Sequence, residues 1–251
     1  MATLSARALS GLPEVHAGDD LAALIAAPPT GFHLRDGQVL VIAHKAVSKA
    51  EGAVVSLAAV EPGARAVALA LEAERDPRAV QVVLDESAEV LRAERGVLIC
   101  RTRHGFVCAN AGVDTSNASE PDTVILLPRD PDGSARRIRA RLRELSGATV
   151  AVIVTDSFGR AWRHGQLDIA IGLAGMTPLE DWRGRTDATG LQLKATWLAV
   201  ADAAAAAADL ARAKDSREPV VIIDGLERFV TAEDGPGAAE LLRPLDEDLF
   251  R

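Results

Sequence analysis

Residues 148–172, ATVAVIVTDSFGRAWRHGQLDIAIG, change character midway. From Ala148 to Val154 the chain is almost wholly apolar and shows no alternation, as a strand does when helices cover both of its faces. Asp156, Ser157, Arg160, Arg163, His164, Gln166 and Asp168 then arrive within a few residues. In an open α/β sheet, ligands gather beyond the carboxyl ends of strands, where side chains can cluster without stranding backbone polar groups. The stretch predicts an α/β or mixed α+β protein whose mixed sheets are flanked by helices, with chemistry just past the strand at Asp156 and Ser157.

Outward from it, strands and helices alternate. DGQVLVIAH (36–44) and PVVIIDG (219–225) read as buried strands. GDDLAALIAA (18–27) reads as a helix capped by Asp19 or Asp20, and PGARAVALALEAER (62–75) as one with Pro62 in its first turn. DPDGSARRIRARLRELSG (130–147) predicts a helix with Ser134 as N-cap and a buried face of Ile138, Leu142 and Leu145, stopped by Gly147. LKATWLAVADAAAAAADLARAK (193–214) predicts a strand end running into an alanine-rich helix, and GPGAAELLRP (235–244) a last short one. GVLICRTRHGFVCANAG (96–112) reads as a hairpin turning at His104-Gly105. Cys100 and Cys108 flank that turn and are expected to be buried, reduced thiols.

The chain has 251 residues, enough for a substantial core, and its aromatic content of 3% makes that core aliphatic. A net charge of −8 opposes nonspecific nucleic-acid binding, which needs a basic face. No stretch approaches 18 uninterrupted apolar residues and no leader pattern opens the chain, so a soluble cytoplasmic protein that engages no membrane is expected. Neither repeats nor linkers divide it, which predicts a single unit over residues 1–251.

Three clusters carry candidate chemistry. Asp156 followed by Ser157 suits a hard divalent cation that keeps water for a phosphate to displace, and equally suits a capped turn with Arg160 as ion-pair partner. NAGVDTSN (110–117) sets Asp114 among Thr115, Ser116 and Asn117, able to bind a cation or phosphate or to close an Asx turn. HKAVSKAEG (44–52) reads as a loop in which Lys45 and Lys49 are positioned to neutralise phosphate or to remain solvated. The P-loop pattern, the dinucleotide glycine fingerprint and the nucleophile elbow are all missing, so any nucleotide would bind by an uncommon architecture.

Taken in order, GLPEV (11–15), AVSKAEG (46–52), HGFVCANAGVDTSN (104–117), LLPRDPDGSARRIR (126–139), VTDSFGRAWRHGQLDIAIGLAG (154–175), PLEDWRGRTDATGLQL (178–193) and VAD (200–202) closely resemble the coenzyme F420:L-glutamate ligase family. The resemblance runs from about Leu12 to the terminal LLRPLDEDLFR and lacks the nitroreductase-like domain that some bacterial relatives add. It implies two intimately associated subdomains and an interlocked homodimer with nucleotide near the subunit interface. It also implies a GTP-dependent ligase that activates the carboxylate of a deazaflavin phosphodiester as an acyl phosphate. L-glutamate is joined there, and a γ-linked tail is then extended.

By the same resemblance, Mg2+ or Mn2+ would be held at Asp114, Asp156 and Ser157, with K+ assisting. Nucleotide would contact Leu12, Pro13, Glu14, Val15, His44, Lys45, Lys49 and Asn117. Asp114, Asp156 and Arg160 are the residues expected to serve catalysis, Arg160 and Arg163 by bracing phosphate or carboxylate, while Gln166 and Asp168 position their segment. Departures at His44, Lys214 and Asp224 bear on nucleotide preference, a second metal site and the number of glutamates added. A sibling ligase acting on another carboxylate and a nonenzymatic nucleotide-binding regulator are the alternatives.

Overall fold

In the computed structural model, which describes residues 3–27, 33–116 and 121–248, the run at 148–154 lies in the middle of a five-stranded sheet. The chain enters by strand β1 (Ser5–Ala8) and helix α1 (Leu21–Ala26), whose first turn is capped by the Asp20 carboxylate accepting the Ala23 N–H at 2.9 Å. Strand β2 (Val39–Ala43) passes directly into helix α2 (His44–Ala50). A second group follows: β3 (Val54–Ser56), α3 (Ala64–Ala73), α4 (Pro77–Asp85), then β4 (Ser87–Glu94), β5 (Val97–Thr102) and β6 (Val107–Ala109) as an antiparallel meander, and β7 (Thr123–Ile125), which pairs back on β3. Helix α5 (Pro131–Ser146) leads to β8 (Ala151–Arg160) and β9 (Arg163–Ala174). The small pair β10 (Leu179–Asp181) and β11 (Trp197–Ala199) precedes helix α6 (Val200–Ala211) and strand β12 (Val220–Asp224).

The main sheet has the order β1-β12-β2-β8-β9, in which β2 and β8 are parallel and every other pairing is antiparallel. The alternation of strand side chains divides the interior in two. Val152 and Val154 join Leu40, Ile42 and Ile222 beneath α1, α2 and α5, while Ala151 and Ile153 join Val39, Val41 and Ile223 beneath α6. Ala201, Ala204, Ala205 and Ala208 form the buried face of α6 at helical spacing, so this helix approaches the sheet closely. Each Val or Ile sealed here contributes about 1.5 to 3 kcal/mol. Residues of α3, α4 and β5 bury separate, smaller clusters. No helix among the described residues is long and apolar enough to cross a membrane.

Several local expectations are corrected. HKAVSKA is a helix, not a loop: His44, Ala46, Val47 and Ser48 are buried and the lysines sit outside that face. Asp130, not Ser134, caps α5, because Pro131 at the first helical position fixes where the helix begins; Leu145 is exposed, while Gly147 ends the helix at φ 75° as expected. Pro62 precedes α3, whose N-cap is Gly63. Residues 235–244 hold only a 3-10 turn, Ala238–Leu241. Cys100 and Cys108 face each other in register across β5 and β6, unbonded and buried.

The largest correction concerns the opening stretch. The backbone does not leave the strand at Asp156; β8 continues to Arg160 and returns as β9 in a long hairpin whose tip carries exposed Trp162. The polar residues seen in sequence are two facing strands. Asp156 nevertheless lies one residue past the last parallel pair, Ala43 with Thr155, so it does sit beyond the carboxyl end of its neighbour β2.

Candidate active site at the first turn of helix α2

Because β2 runs straight into α2, His44 and Lys45 emerge at that strand end, and each meets a carboxylate from a distant segment. Lys45 Nζ lies 2.6 Å from Asp114 Oδ2 and donates to Ser116 Oγ at 2.6 Å. Asp114 is pinned twice more: its backbone bridges Ile125 through two hydrogen bonds, and its Oδ1 accepts the Ser116 N–H at 2.6 Å. The Asx turn and the charged contact coexist. His44 Nε2 stands 3.3 Å from Asp156 Oδ1, yet the alignment is poor and this buried nitrogen makes no hydrogen bond. One turn on, Lys49 Nζ contacts Glu14 Oε1 at 2.5 Å, bringing the Leu12–Val15 segment against α2, with Val15 buried and Leu12 packed on the core. Burial pushes the Asp114 carboxyl up, but Lys45 and the Ser116 amide outweigh it and hold the group below the usual carboxylate range.

A further carboxylate lies in the hairpin. Asp168, opposite Ser157 in the hairpin, accepts from Ser157 Oγ at 2.7 Å and Thr155 Oγ1 at 2.9 Å and forms a very short contact with the Arg212 guanidinium. Burial acts to raise its pKa; the Arg212 charge, the two hydroxyls and the Lys214 charge overcome that and lower it. Lys214 donates to Ser157 Oγ at 2.8 Å and Asp209 Oδ1 at 3.0 Å. The Ser157 hydroxyl thus gives its proton to Asp168 and one lone pair to Lys214, which leaves one lone pair for a cation.

Other candidates stand apart. Arg160 lies at the hairpin tip, four strand positions or about 13 Å beyond Asp156, with its guanidinium turned back on the His164 carbonyl at 2.6 Å. Arg163 pairs with it across the tip, and Gln166 lies opposite Gly159. Asp224 binds Arg35 and Gln38 at the other end of β2 from α2. Asn117 is outside the described residues. Sequence reasoning missed Arg212, which reaches Asp168 only through the tertiary fold and has no local signature.

Concavities of about 240 Å³ beside Leu21, Val47 and Arg137, and about 520 Å³ beside Arg143 and Glu233, include neither Asp114 nor Asp156. The chemistry, not the depth of the hollow, marks the site. Among the described residues no three His, Cys, Asp or Glu side chains group as a metal cage. Carboxylate and hydroxyl oxygens are the donor types that suit a hard cation that retains water; Asp156 Oδ1 accepts the Ser157 N–H at 2.8 Å, and the His44 nitrogen facing it is unbonded among the described residues.

Comparison with known proteins identifies the family. The family model described as F420-0:Gamma-glutamyl ligase matches residues 11–225. The chain is 44% identical over 246 residues to the coenzyme F420:L-glutamate ligase of Methanothermobacter thermautotrophicus, covering 97% of each chain. It is 46% identical to that of Methanopyrus kandleri, covering 95% of this chain and 94% of the relative, and 41% identical to that of Methanocaldococcus jannaschii, covering 92% and 90%. With the match spanning nearly its whole length, the chain belongs to the F420-0:gamma-glutamyl ligase family of acid–amino acid ligases.

Proposed function

We propose that this ligase uses GTP to join L-glutamate to the carboxylate of the deazaflavin precursor F420-0 and then extends the product through γ-linked glutamates. A carboxylate is a poor electrophile. Transfer of the GTP γ-phosphoryl to its oxygen gives an acyl phosphate and GDP; the glutamate amine then forms the amide bond and releases phosphate and a proton. Nucleotide, phosphodiester and amino acid are all anionic, and like charges 4 Å apart at an effective dielectric of 20 repel by about 4 kcal/mol. A protein of net charge −8 must therefore concentrate cations locally.

The observation that carries the reading is the delivery of Asp156 and Asp114 to consecutive residues of one helical turn, His44 and Lys45. Asp114 and Asp156 on the α2 side of the hairpin, and the free lone pair of Ser157 on its α6 side, would hold Mg2+ or Mn2+, which would neutralise phosphate oxygens. Lys45 and Lys49 exchange Asp114 and Glu14 for phosphate oxygens as nucleotide enters between α2 and the Leu12–Val15 segment. Asp168, fixed by Arg212 and Thr155, orients the Ser157 hydroxyl. K+ would assist the divalent metal, as the family resemblance implies.

The working form is an interlocked homodimer. Exposed Trp162, Trp197, Leu191 and Leu198 support a partner-facing surface, and an Arg160 at the hairpin tip, turned back on the His164 carbonyl, supports action across it. The separate small cores around α3 and α4 support two associated subdomains. The unbonded cysteines are in keeping with a cytoplasmic enzyme. Incubation with GTP, Mn2+, glutamate and F420-0 is expected to yield glutamylated product by mass spectrometry together with GDP. Absence of product with any divalent metal or nucleotide would reject the reading.

A further inference from the structure

The VAD segment at 200–202 supplies a residue that touches none of the groups named so far, yet it bears on their register. Strand β9 is the edge of the main sheet and contains a bulge: Val154 pairs with Gly172, but Thr155 pairs with Ala170, so Ile171 is an extra residue. Two helices fasten the strand on either side. Asp132, in the first turn of α5, accepts the Leu173 N–H at 2.8 Å, and Asp202, in the first turn of α6, accepts the Ala170 N–H at 2.9 Å. Outward-facing amides of a regular strand are two residues apart; these are three apart because the bulge lies between them. Gly172 permits the close seat of α5, since a Cβ there would meet the Pro131 carbonyl oxygen at 2.4 Å.

The bulge decides what faces Ser157. Continued without it, the Val154–Gly172 register would set Ile169 opposite Ser157 and Asp168 opposite Phe158, moving the Asp168 carboxylate to the other face of the hairpin. The observed phase instead puts Asp168 on the face of Thr155 and Ser157, where both hydroxyls reach it.

We propose that Asp202 is a positioning residue for the ligase: by accepting the Ala170 N–H it locks the β9 bulge in the phase that sets Asp168 against Ser157. The inference rests on the function proposed above. Its test is Mn2+ affinity, read by electron paramagnetic resonance, alongside GTP turnover and thermal melting. Asp202→Ala is expected to keep a cooperative melt while weakening Mn2+ binding about 10- to 100-fold, the range typical of groups that orient metal ligands. Asp202→Asn, whose amide oxygen accepts the same bond, is expected to recover most of that loss.

Should Asp202→Ala not fold, Asp202→Glu keeps the charge but adds a methylene that displaces the bulge, and it is expected to weaken Mn2+ binding at least about fivefold. Unchanged affinity in the folded variants, or equal loss in Asn and Ala, would overturn the assignment. Wild-type enzyme that neither turns over GTP nor binds Mn2+ would sink the functional reading and this inference together. Wild-type enzyme that does both, with indistinguishable variants, would sink this inference alone.

Discussion

Asp168 and Asp114 are both carboxylates paired with a cationic side chain, and their surroundings differ in kind. Asp168 and Arg212 are 2% and 9% exposed, and the Asp168 carboxylate takes two further bonds from hydroxyls. Asp114 and Lys45 are 36% and 22% exposed, at the rim of α2. A sealed pair cannot trade partners without stranding a charge in low dielectric, whereas an open pair trades a carboxylate for a phosphate or cation at modest cost. The first has the character of an anchor, and the second has the openness that the proposed exchange of partners requires.

The sharpest way to break that contrast is to remove the anchor. Asp168→Ala leaves the Arg212 guanidinium buried without its carboxylate and is expected to cost about 3 to 5 kcal/mol, a melting shift of roughly 6 to 20 °C for a chain of this size. Replacing both partners, Asp168→Leu with Arg212→Met, is expected to return much of that stability but not activity. Thermal melts that move by less than about 1 kcal/mol in Asp168→Ala would show the pair is no anchor.

Changes at the exchange site are expected to do the reverse. Asp156→Ala and Asp114→Ala should each reduce metal-dependent GTP turnover by about 100-fold or more, equivalent to roughly 2.7 kcal/mol of transition-state stabilisation, while shifting stability by about 1 kcal/mol or less. Near wild-type turnover in both variants would remove the metal assignment, and a collapse of folding would erase the distinction between the two carboxylates.

Acid titration sharpens the comparison with a smaller effect. Asp114 and Asp168 both have folded pKa values below the ordinary 3.8, so each contributes stability that is complete above the unfolded value and is lost as pH falls through the folded one. Asp202 has the opposite sign. Burial raises its pKa despite the Ala170 amide, so its contribution is present below 3.8 and is lost as pH rises through the folded value. Denaturation series should therefore show Asp168→Asn approaching wild type only below pH 3.8, and Asp202→Asn gaining on wild type as pH rises above it. Parallel curves across that window would contradict both assignments.

What could be read from the chain follows the range of the forces involved. The strands β2, β8 and β12 are legible because burial on both faces writes a continuous apolar run, and α5 because Gly147 stops it. Asp114, Asp156 and the lysines were legible as residue types suited to phosphate and hard cations. The helix at 44–50 was not, since two lysines mask a buried face only seven residues long. The β8–β9 hairpin was hidden because its outer half, Gly159 to Gln166, is polar and solvent-exposed, which imitates a loop. Arg212 and the bulge lock at Asp202 depend on where α6 is laid against β9, and nothing within a local window encodes that.

Arg160 gives the smallest effect on the subunit and the most specific test of how the open site is completed. Arg160 is exposed and, among the described residues, its guanidinium donates to the His164 carbonyl, so Arg160→Ala should alter stability by less than about 0.5 kcal/mol. Any loss of turnover must then arise where the hairpin tip reaches, and in the homodimer proposed above that is the partner's site. If Asp156→Ala and Arg160→Ala enzymes, each inactive, are mixed and allowed to exchange subunits, half of the dimers are hybrids. A hybrid in which Arg160 acts across the interface carries one doubly altered site and one intact site. The mixture should then recover about a quarter of wild-type activity. Action within the same subunit gives no recovery, because each hybrid site keeps one defect, and a fully active Arg160→Ala enzyme would remove the arginine from catalysis altogether.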